Sequence, residues 1–354
     1  MIEILLLPGD GVGPEVVEQA MIVLDAVKSK YSLEYTISEG MIGGQAIDAT
    51  GKPLPQETLK KVQASDVIIL GSVGGPKWDA LPSDIRPEKG LLELRKGSDL
   101  FANLRPVKCW PQLLEQSPFK NHVVEGVDIL IVRELIGGAY FGKKGTSHEG
   151  ESTAAFDTIE YNDMQIRRII KKAMDIAGTR RNRITSVDKA NVLETSRLWR
   201  KIAEEEALNY PKITLNHLYV DNCAMQLCLN PAQFDIIVTE NMFGDILSDQ
   251  ASVLGASLGM LPSASIGEGI ALYEPIHGSA PDIAGQNKAN PLAAILSVAM
   301  MLDISFNHRQ AAEDVEKAVE NVLIAGLRTA DIWTKGLGLV GTREMGKAIA
   351  EQIK

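Results

Sequence analysis

Short apolar runs alternate with segments of helical period along this chain, and that alternation limits the fold more than any other feature. Residues 2–7, 33–38, 66–70, 127–132, 184–187, 213–220 and 234–239 read as strands. Residues 14–28, 55–64, 164–177, 195–208, 291–302, 311–328 and 341–353 read as helices. Strands alternating with helices predict an α/β fold built on a parallel or mixed sheet. A chain of 354 residues, 45% hydrophobic, fills about two domains, and with aromatics at 5% its packing falls to Leu, Ile, Val and Ala.

Polar residues recur where the apolar runs end. Arg133, Lys189, Asp221 and Asp245 each follow a separate run, on the side of an α/β sheet where ligands bind. Arg95 and Arg105 add two more planar forks that match carboxylates or phosphates, which suggests a dicarboxylate or phosphorylated ligand. Asp245 and Asp249 are four residues apart on a helix opened by Asn241. Like charges at that spacing repel by a few tenths of a kcal/mol. A hard divalent cation such as Mg²⁺ or Mn²⁺ would offset them; otherwise Asp245 favours the helix N-terminus and Asp249 faces solvent. Lys189 reads as an acid or base, or as a surface lysine paired with Asp188. The glycine pair before Tyr140 leaves that phenol room to face a site, and 142–161 reads as a hairpin or protruding arm.

Gly9, Gly11 and Gly13 follow the first strand as G-x-G-x-G. A Rossmann dinucleotide turn needs G-x-G-x-x-G, so this one fits a tight turn or a contact with an anion or partner loop. Residues 74–90 read as a long loop, and Leu91 and Leu92 just beyond it offer a pocket an apolar compartment. The loop from Ile270 to Pro291, with His277, Ser279, Asp282 and Asn290, is rich in small residues that let a ligand approach the backbone, and a placed Asp accepts ribose hydroxyls. The net charge of −10 argues against nucleic acid and anionic membrane partners. Three cysteines without C-x-x-C spacing predict neither disulfides nor a thiolate zinc site, and fit a cytoplasmic setting. No signal peptide or membrane span is expected.

The segments LPGDGVGPE, GLLELRKGSDLFANLRP, RELIGGAYFG, SVDKANVLE, DILSD and EPIHGSAPDIAGQNKANP together resemble the isocitrate/isopropylmalate dehydrogenase family of β-decarboxylating dehydrogenases, its isopropylmalate branch above all. The resemblance runs over nearly the whole chain. It implies mixed parallel and antiparallel sheets with flanking helices, not a Rossmann fold, in two domains. One combines 1–100 with 256–354 and binds the cofactor. The other, 101–255, serves substrate, metal and dimerisation. The implied reaction is oxidative decarboxylation of 3-isopropylmalate to 4-methyl-2-oxopentanoate in leucine biosynthesis, with NAD⁺ and Mg²⁺ or Mn²⁺. The implied enzyme is a homodimer whose active sites lie between the domains and are shared between subunits.

On matching positions, Arg95, Arg105 and Arg133 would hold the substrate carboxylates, while Glu88, Leu91 and Leu92 would read its C3 substituent. Asp245 and Asp249 would bind metal with Asp221 of the partner chain, which also touches substrate. Tyr140 and the partner chain's Lys189 would move protons. Glu274, His277, Gly278, Ser279, Ala280, Asp282, Ile283 and Asn290 would bind the cofactor, Asp282 disfavouring a 2′-phosphate. Ile136 departs from the family's RELTGG, which puts polar contacts near Tyr140 in doubt. Isocitrate, homoisocitrate, tartrate or malate are alternative substrates. A metal-dependent phosphate-ester hydrolase leaves HGSAPDIAG without a use, and a silent binding protein leaves the acid, base and metal residues without one.

Overall fold

The computed structural model describes residues 2–150 and 152–353. Contacts divide the chain into two units: Met1–Leu100 with Trp110–Pro118 and Gly255–Lys354, and Phe101–Cys109 with Phe119–Leu254. The stretch 110–118, expected with the middle of the chain, goes instead with the first unit. Arg328 Nη2 donates to the Gln112 carbonyl at 2.9 Å, and Gln116 Nε2 bonds the Thr334 hydroxyl.

In the first unit five strands lie in the order Tyr35–Glu39, Ile2–Gly9, Val67–Ser72, Ala271–Pro275, Pro262–Ile266. The first four pair in parallel, with Leu5 opposite Ile68 and Tyr273 opposite Ile69; the last is antiparallel. Val67–Ser72 is buried along its whole length, as its unbroken apolar run requires of a parallel strand covered on both faces. The helix Gly13–Tyr31 turns Val16, Val17, Ala20, Val23, Leu24 and Val27 inward at three- and four-residue spacing. It packs against Leu292–Ile304, the expected buried helix, and against Thr342–Ile353. Burying each such Val, Leu or Ile contributes roughly 1.5–3 kcal/mol.

In the second unit the order is Ala102–Lys108, Asp128–Glu134, Ile236–Thr239, Arg183–Asp188, Thr214–Tyr219, with only the first pair antiparallel. The register aligns Asn103, Arg133, Thr239 and Val187 in one row. The helix Asp163–Ala177 starts on a capping box of Asn162 and Gln165 and buries Ile166, Ile169, Ile170, Ala173 and Met174, while Lys171 is exposed, Arg167 pairs with Glu205 and Glu206, and the Arg168 guanidinium lies 4.5 Å from the Phe101 ring centroid. The 142–161 region forms the hairpin Lys144–Glu149 with Ser152–Asp157; every residue of its second strand is exposed, Phe156 included.

Several local expectations shift. Pro262–Ile266 and Ala271–Pro275 were not foreseen as strands, and neither was the helix Gly44–Thr50. The loop 74–90 is shorter than its composition suggests, since Pro76–Trp78 makes one helical turn and Pro87 starts the helix that ends at Gly97. Asp221 lies in the first turn of the helix Val220–Leu229, which begins directly where the strand Thr214–Tyr219 ends, one residue sooner than expected.

Candidate active site

The strand Ile236–Thr239 delivers the chain to Glu240, whose carboxylate caps the helix Asn241–Ser252 by accepting from the Phe243 N–H at 2.8 Å. Asp245 is on the first turn and a half of that helix. Three groups from elsewhere in the second unit converge on it. Arg133 Nη1 donates to Oδ1, the Tyr140 hydroxyl donates to Oδ2 at 2.7 Å, and Arg105 Nη2 lies 3.6 Å from Oδ1. Arg105 also donates through Nη1 to the Ser248 hydroxyl at 2.7 Å and lies 3.4 Å from Asp249, while its Nε reaches Asn103 at 2.7 Å.

Arg133 is 2% exposed. A buried guanidinium near a helix N-terminus opposes the macrodipole, so it stays there only because acceptors surround it. Gly244 allows the approach: a Cβ there would sit 2.6 Å from Arg133 Cγ. Burial first, and then its bond to Asp245, pushes the Tyr140 phenol up to about 12, so it holds its proton at neutral pH and can donate it. Its ring also faces the Arg133 guanidinium, 5.5 Å away.

Behind these groups the turn 135–140 rests on the fully buried Glu134, whose oxygens accept from the Ile136 and Gly137 N–H groups at 3.2 and 2.9 Å. At position 136 it is thus the backbone that carries this polar contact. Burial pushes the Glu134 carboxyl up to about 7 from its ordinary 4.5, against the pull of those N–H groups. Between those values the folded chain keeps a proton that the unfolded chain has released, so this group's contribution lowers stability as pH rises and is fully unfavourable above 7. Between pH 5 and pH 8 the melting temperature of the native chain is expected to fall relative to that of Glu134→Gln. An unchanged difference at the two pH values would refute this.

Lys189 and Asp221 form their own pair, Nζ to Oδ1, with Asp221 held below the usual carboxylate range by that bond. Lys189 follows Asp188, a buried carboxylate bound by Arg200 through two 2.9 Å bonds, so the reading of Lys189 as a partner of Asp188 gives way to Asp221. Among the described residues, no group of three or more His, Cys, Asp or Glu is placed to hold a metal within one chain.

In the first unit, Arg95 Nη2 contacts Glu274 Oε1 at 2.7 Å, joining a residue expected on substrate to one expected on cofactor. Leu91 and Leu92 are half-buried on the same helix as Arg95, and Glu88 is exposed with its carboxylate beside Gly74. The glycine turn proves to contact a partner loop. Gly9 and Gly11 have φ of +70° and +60°, and the Val12 N–H donates to the Ser279 carbonyl at 2.8 Å. Asp10, almost fully buried, accepts from the Gly44, Gln45 and Gly74 N–H groups at 2.8 Å each and so starts the unforeseen helix Gly44–Thr50.

Beyond Ser279, Gly278 and Asp282 are exposed, while Ala280 and Ile283 are half-buried in a turn where the Ile283 N–H donates to the Ala280 carbonyl. His277 Nδ1 lies 2.9 Å from the Gly278 carbonyl, its Nε2 is buried with no partner among the described residues, and burial lowers its pKa. The Asn290 amide is committed to the Leu292 N–H and to Asp331.

Asn103, Asn241, Gly244 and Ser248 escaped the sequence reading as site residues. From sequence Asn241 reads only as a helix start; its position one turn before Asp245 is the available signal.

Residues 3–349 match the family described as isocitrate/isopropylmalate dehydrogenase. This chain belongs to that family. Among isocitrate/isopropylmalate dehydrogenase family members it is 57% identical to the 3-isopropylmalate dehydrogenase of Aquifex aeolicus, covering 99% of this chain and 97% of the relative. It is 56% identical to that of Moorella thermoacetica, over 100% and 99%. Of solved structures, isocitrate dehydrogenase from Methylococcus capsulatus superposes with a TM-score of 0.88 at 34% identity, covering 100% of this chain and 99% of that one. A β-decarboxylating dehydrogenase from Thermococcus kodakarensis gives 0.80 at 33% identity, over 100% and 96%. The mixed α/β architecture is the family's.

Proposed function

We propose that this chain catalyses the NAD⁺-linked, divalent-metal-dependent oxidative decarboxylation of 3-isopropylmalate to 4-methyl-2-oxopentanoate in leucine biosynthesis, as a cytoplasmic homodimer. The observation that carries the reading is the convergence of Arg133, Arg105 and Tyr140 on Asp245, one turn from Asp249. The names borne by relatives above 55% identity choose the substrate. The half-buried Leu91 and Leu92 agree with that choice, because an isopropyl group wants apolar contact where a further carboxylate wants donors.

The donor chemistry fits the implied groups. Asp245 and Asp249 present hard anionic oxygens on one helix face, which suit Mg²⁺ or Mn²⁺ with substrate, water and Asp221 of a second copy filling the remaining positions. For the nucleotide, the orphaned His277 Nε2 leaves a donor or acceptor and the exposed Gly278 leaves open backbone beside the small residues Ser279 and Ala280, and the exposed Asp282 repels a 2′-phosphate. When bound, the cation supplies Lewis acidity at the substrate hydroxyl and NAD⁺ accepts a hydride.

The chain's own residues do the rest. Arg105 and Arg133 grip carboxylates and orient the diacid. Lys189 of a second copy takes the hydroxyl proton, with Asp221 beside it to stabilise the ammonium. Tyr140, still protonated, returns a proton to the carbon left by CO₂.

NADH absorbance with NAD⁺ and Mg²⁺ is expected to rise with 3-isopropylmalate well above isocitrate, homoisocitrate, tartrate and malate, and to vanish with EDTA. Mixing Lys189→Ala with Arg133→Ala after co-refolding is expected to restore about a quarter of native activity, because half the dimers are mixed and each has one intact site. Absence of turnover with 3-isopropylmalate overturns the substrate, and absence of complementation overturns the shared site.

A further inference from the structure

We propose that Asn241 is a positioning residue that sets, with one amide, both the guanidinium of Arg133 and the turn that carries Tyr140. The inference rests on reading Arg133 as a carboxylate-binding group and Tyr140 as a proton donor. Asn241 is fully buried. Its Oδ1 accepts from Arg133 Nε at 3.0 Å and from Nη2 at 2.7 Å, which fixes the guanidinium plane while Nη1 reaches Asp245. Its Nδ2 donates to the carbonyls of Leu135 and Gly137, 3.0 Å each, on the turn that leads through Gly138 to Tyr140. The whole hydrogen-bonding capacity of the side chain is therefore divided between the two groups.

No other side chain of this size offers one acceptor and two donors. Asp keeps the acceptor and loses both donors, Ser offers one donor, and Gln is a methylene too long.

The amide is itself held in place. The Asn241 N–H donates to the Tyr161 hydroxyl at 3.0 Å, and that hydroxyl donates to Glu240 Oε2 at 3.2 Å. The Tyr161 ring stands edge-on to Trp199, with centroids 6.1 Å apart. Gly137 and Gly138 are needed at the turn because a Cβ at either would lie within 2.5 Å of Tyr161. The arrangement is tight enough that small shifts of Asn241 move both dependants.

The test separates the two halves of the amide in the full-length enzyme. Asn241→Asp keeps the acceptor for Arg133 but turns a carboxylate oxygen towards two carbonyls, so it is expected to lower kcat by about tenfold or more while KM for the hydroxy diacid stays within about threefold. Asn241→Ala releases both dependants and is expected to raise KM by about tenfold and lower kcat as well. A general loss of packing would not divide kcat from KM in this way. Equal effects of the two variants on both constants, or native constants in both, overturn the proposal.

If Asn241→Ala does not fold, Asn241→Asp alone decides. If the native enzyme turns over no hydroxy diacid, the functional reading falls. Crystal structures of the variants then decide the inference: an Arg133 guanidinium and a 135–140 turn that stay in place overturn it, and displacement of either in the variant that releases it supports it.

Discussion

Asp245→Asn is expected to lower kcat/KM by about a thousandfold or more, within the range set by losing a charge on which proton transfer and metal binding both depend. The substitution keeps shape and removes charge. Arg133 retains its two bonds to Asn241 and Tyr140 retains an oxygen to donate to, so the fold survives. What goes is the anionic oxygen that balances Arg133 and Arg105 and supplies half of the chain's own carboxylate pair. The Mg²⁺ concentration needed for half-maximal activity should rise in parallel. Steady-state kinetics across a Mg²⁺ series, with circular dichroism as the folding control, checks this. Activity within tenfold of native at ordinary Mg²⁺ would remove Asp245 from the chemistry.

The second large effect is expected at Gly11. An added Cβ would lie 1.9 Å from the Ser279 carbonyl oxygen, and the backbone there has φ of +60°. Left-handed geometry costs a side-chain-bearing residue roughly 1–2 kcal/mol, and the overlap is with a backbone oxygen that no rotamer change can clear. Gly11→Ala must therefore separate the glycine turn from the 277–280 loop and break the bond from Val12 to Ser279. NAD⁺ affinity should fall by about a hundredfold, in line with the cost of misplacing a binding loop by an ångström. The melting temperature should drop by several degrees. Calorimetric titration with NAD⁺ and a thermal melt measure the two. Native NAD⁺ affinity in a variant with an intact melt would mean that this loop does not bind the nucleotide.

How much of this was legible beforehand follows from where each signal sits. Strands buried on both faces, such as 67–72 and 236–239, show as unbroken apolar runs, and the helix 292–304, buried over most of its length, shows as a run without charge up to Leu302. Pro262–Ile266 was missed because its sequence is PSASI: small and hydroxyl residues give no apolar contrast, and burial in the sheet decides its state. Gly44–Thr50 was missed because its start is set by Asp10, 34 residues earlier, and no local pattern records that bond.

The site divides along the same line. Arg133, Tyr140, Asp245 and Asp249 stood out by charge and position. Asn241 and Gly244 did not, because an amide and a hydrogen atom gain their meaning only from what the fold brings against them. Arg95 with Glu274, and Lys189 with Asp221, could be named singly from sequence, but the pairings appear only in three dimensions.

The row in which Asn103, Arg133, Thr239 and Val187 stand side by side has one more consequence. Side chains on a strand alternate between faces, so slipping the 128–134 strand by a single residue would turn Arg133 to the opposite surface and leave its neighbours aligned with the wrong atoms. Catalytic competence is thereby a checksum on strand pairing: in a refolding mixture, the specific activity of the recovered protein counts the molecules that have found the native register.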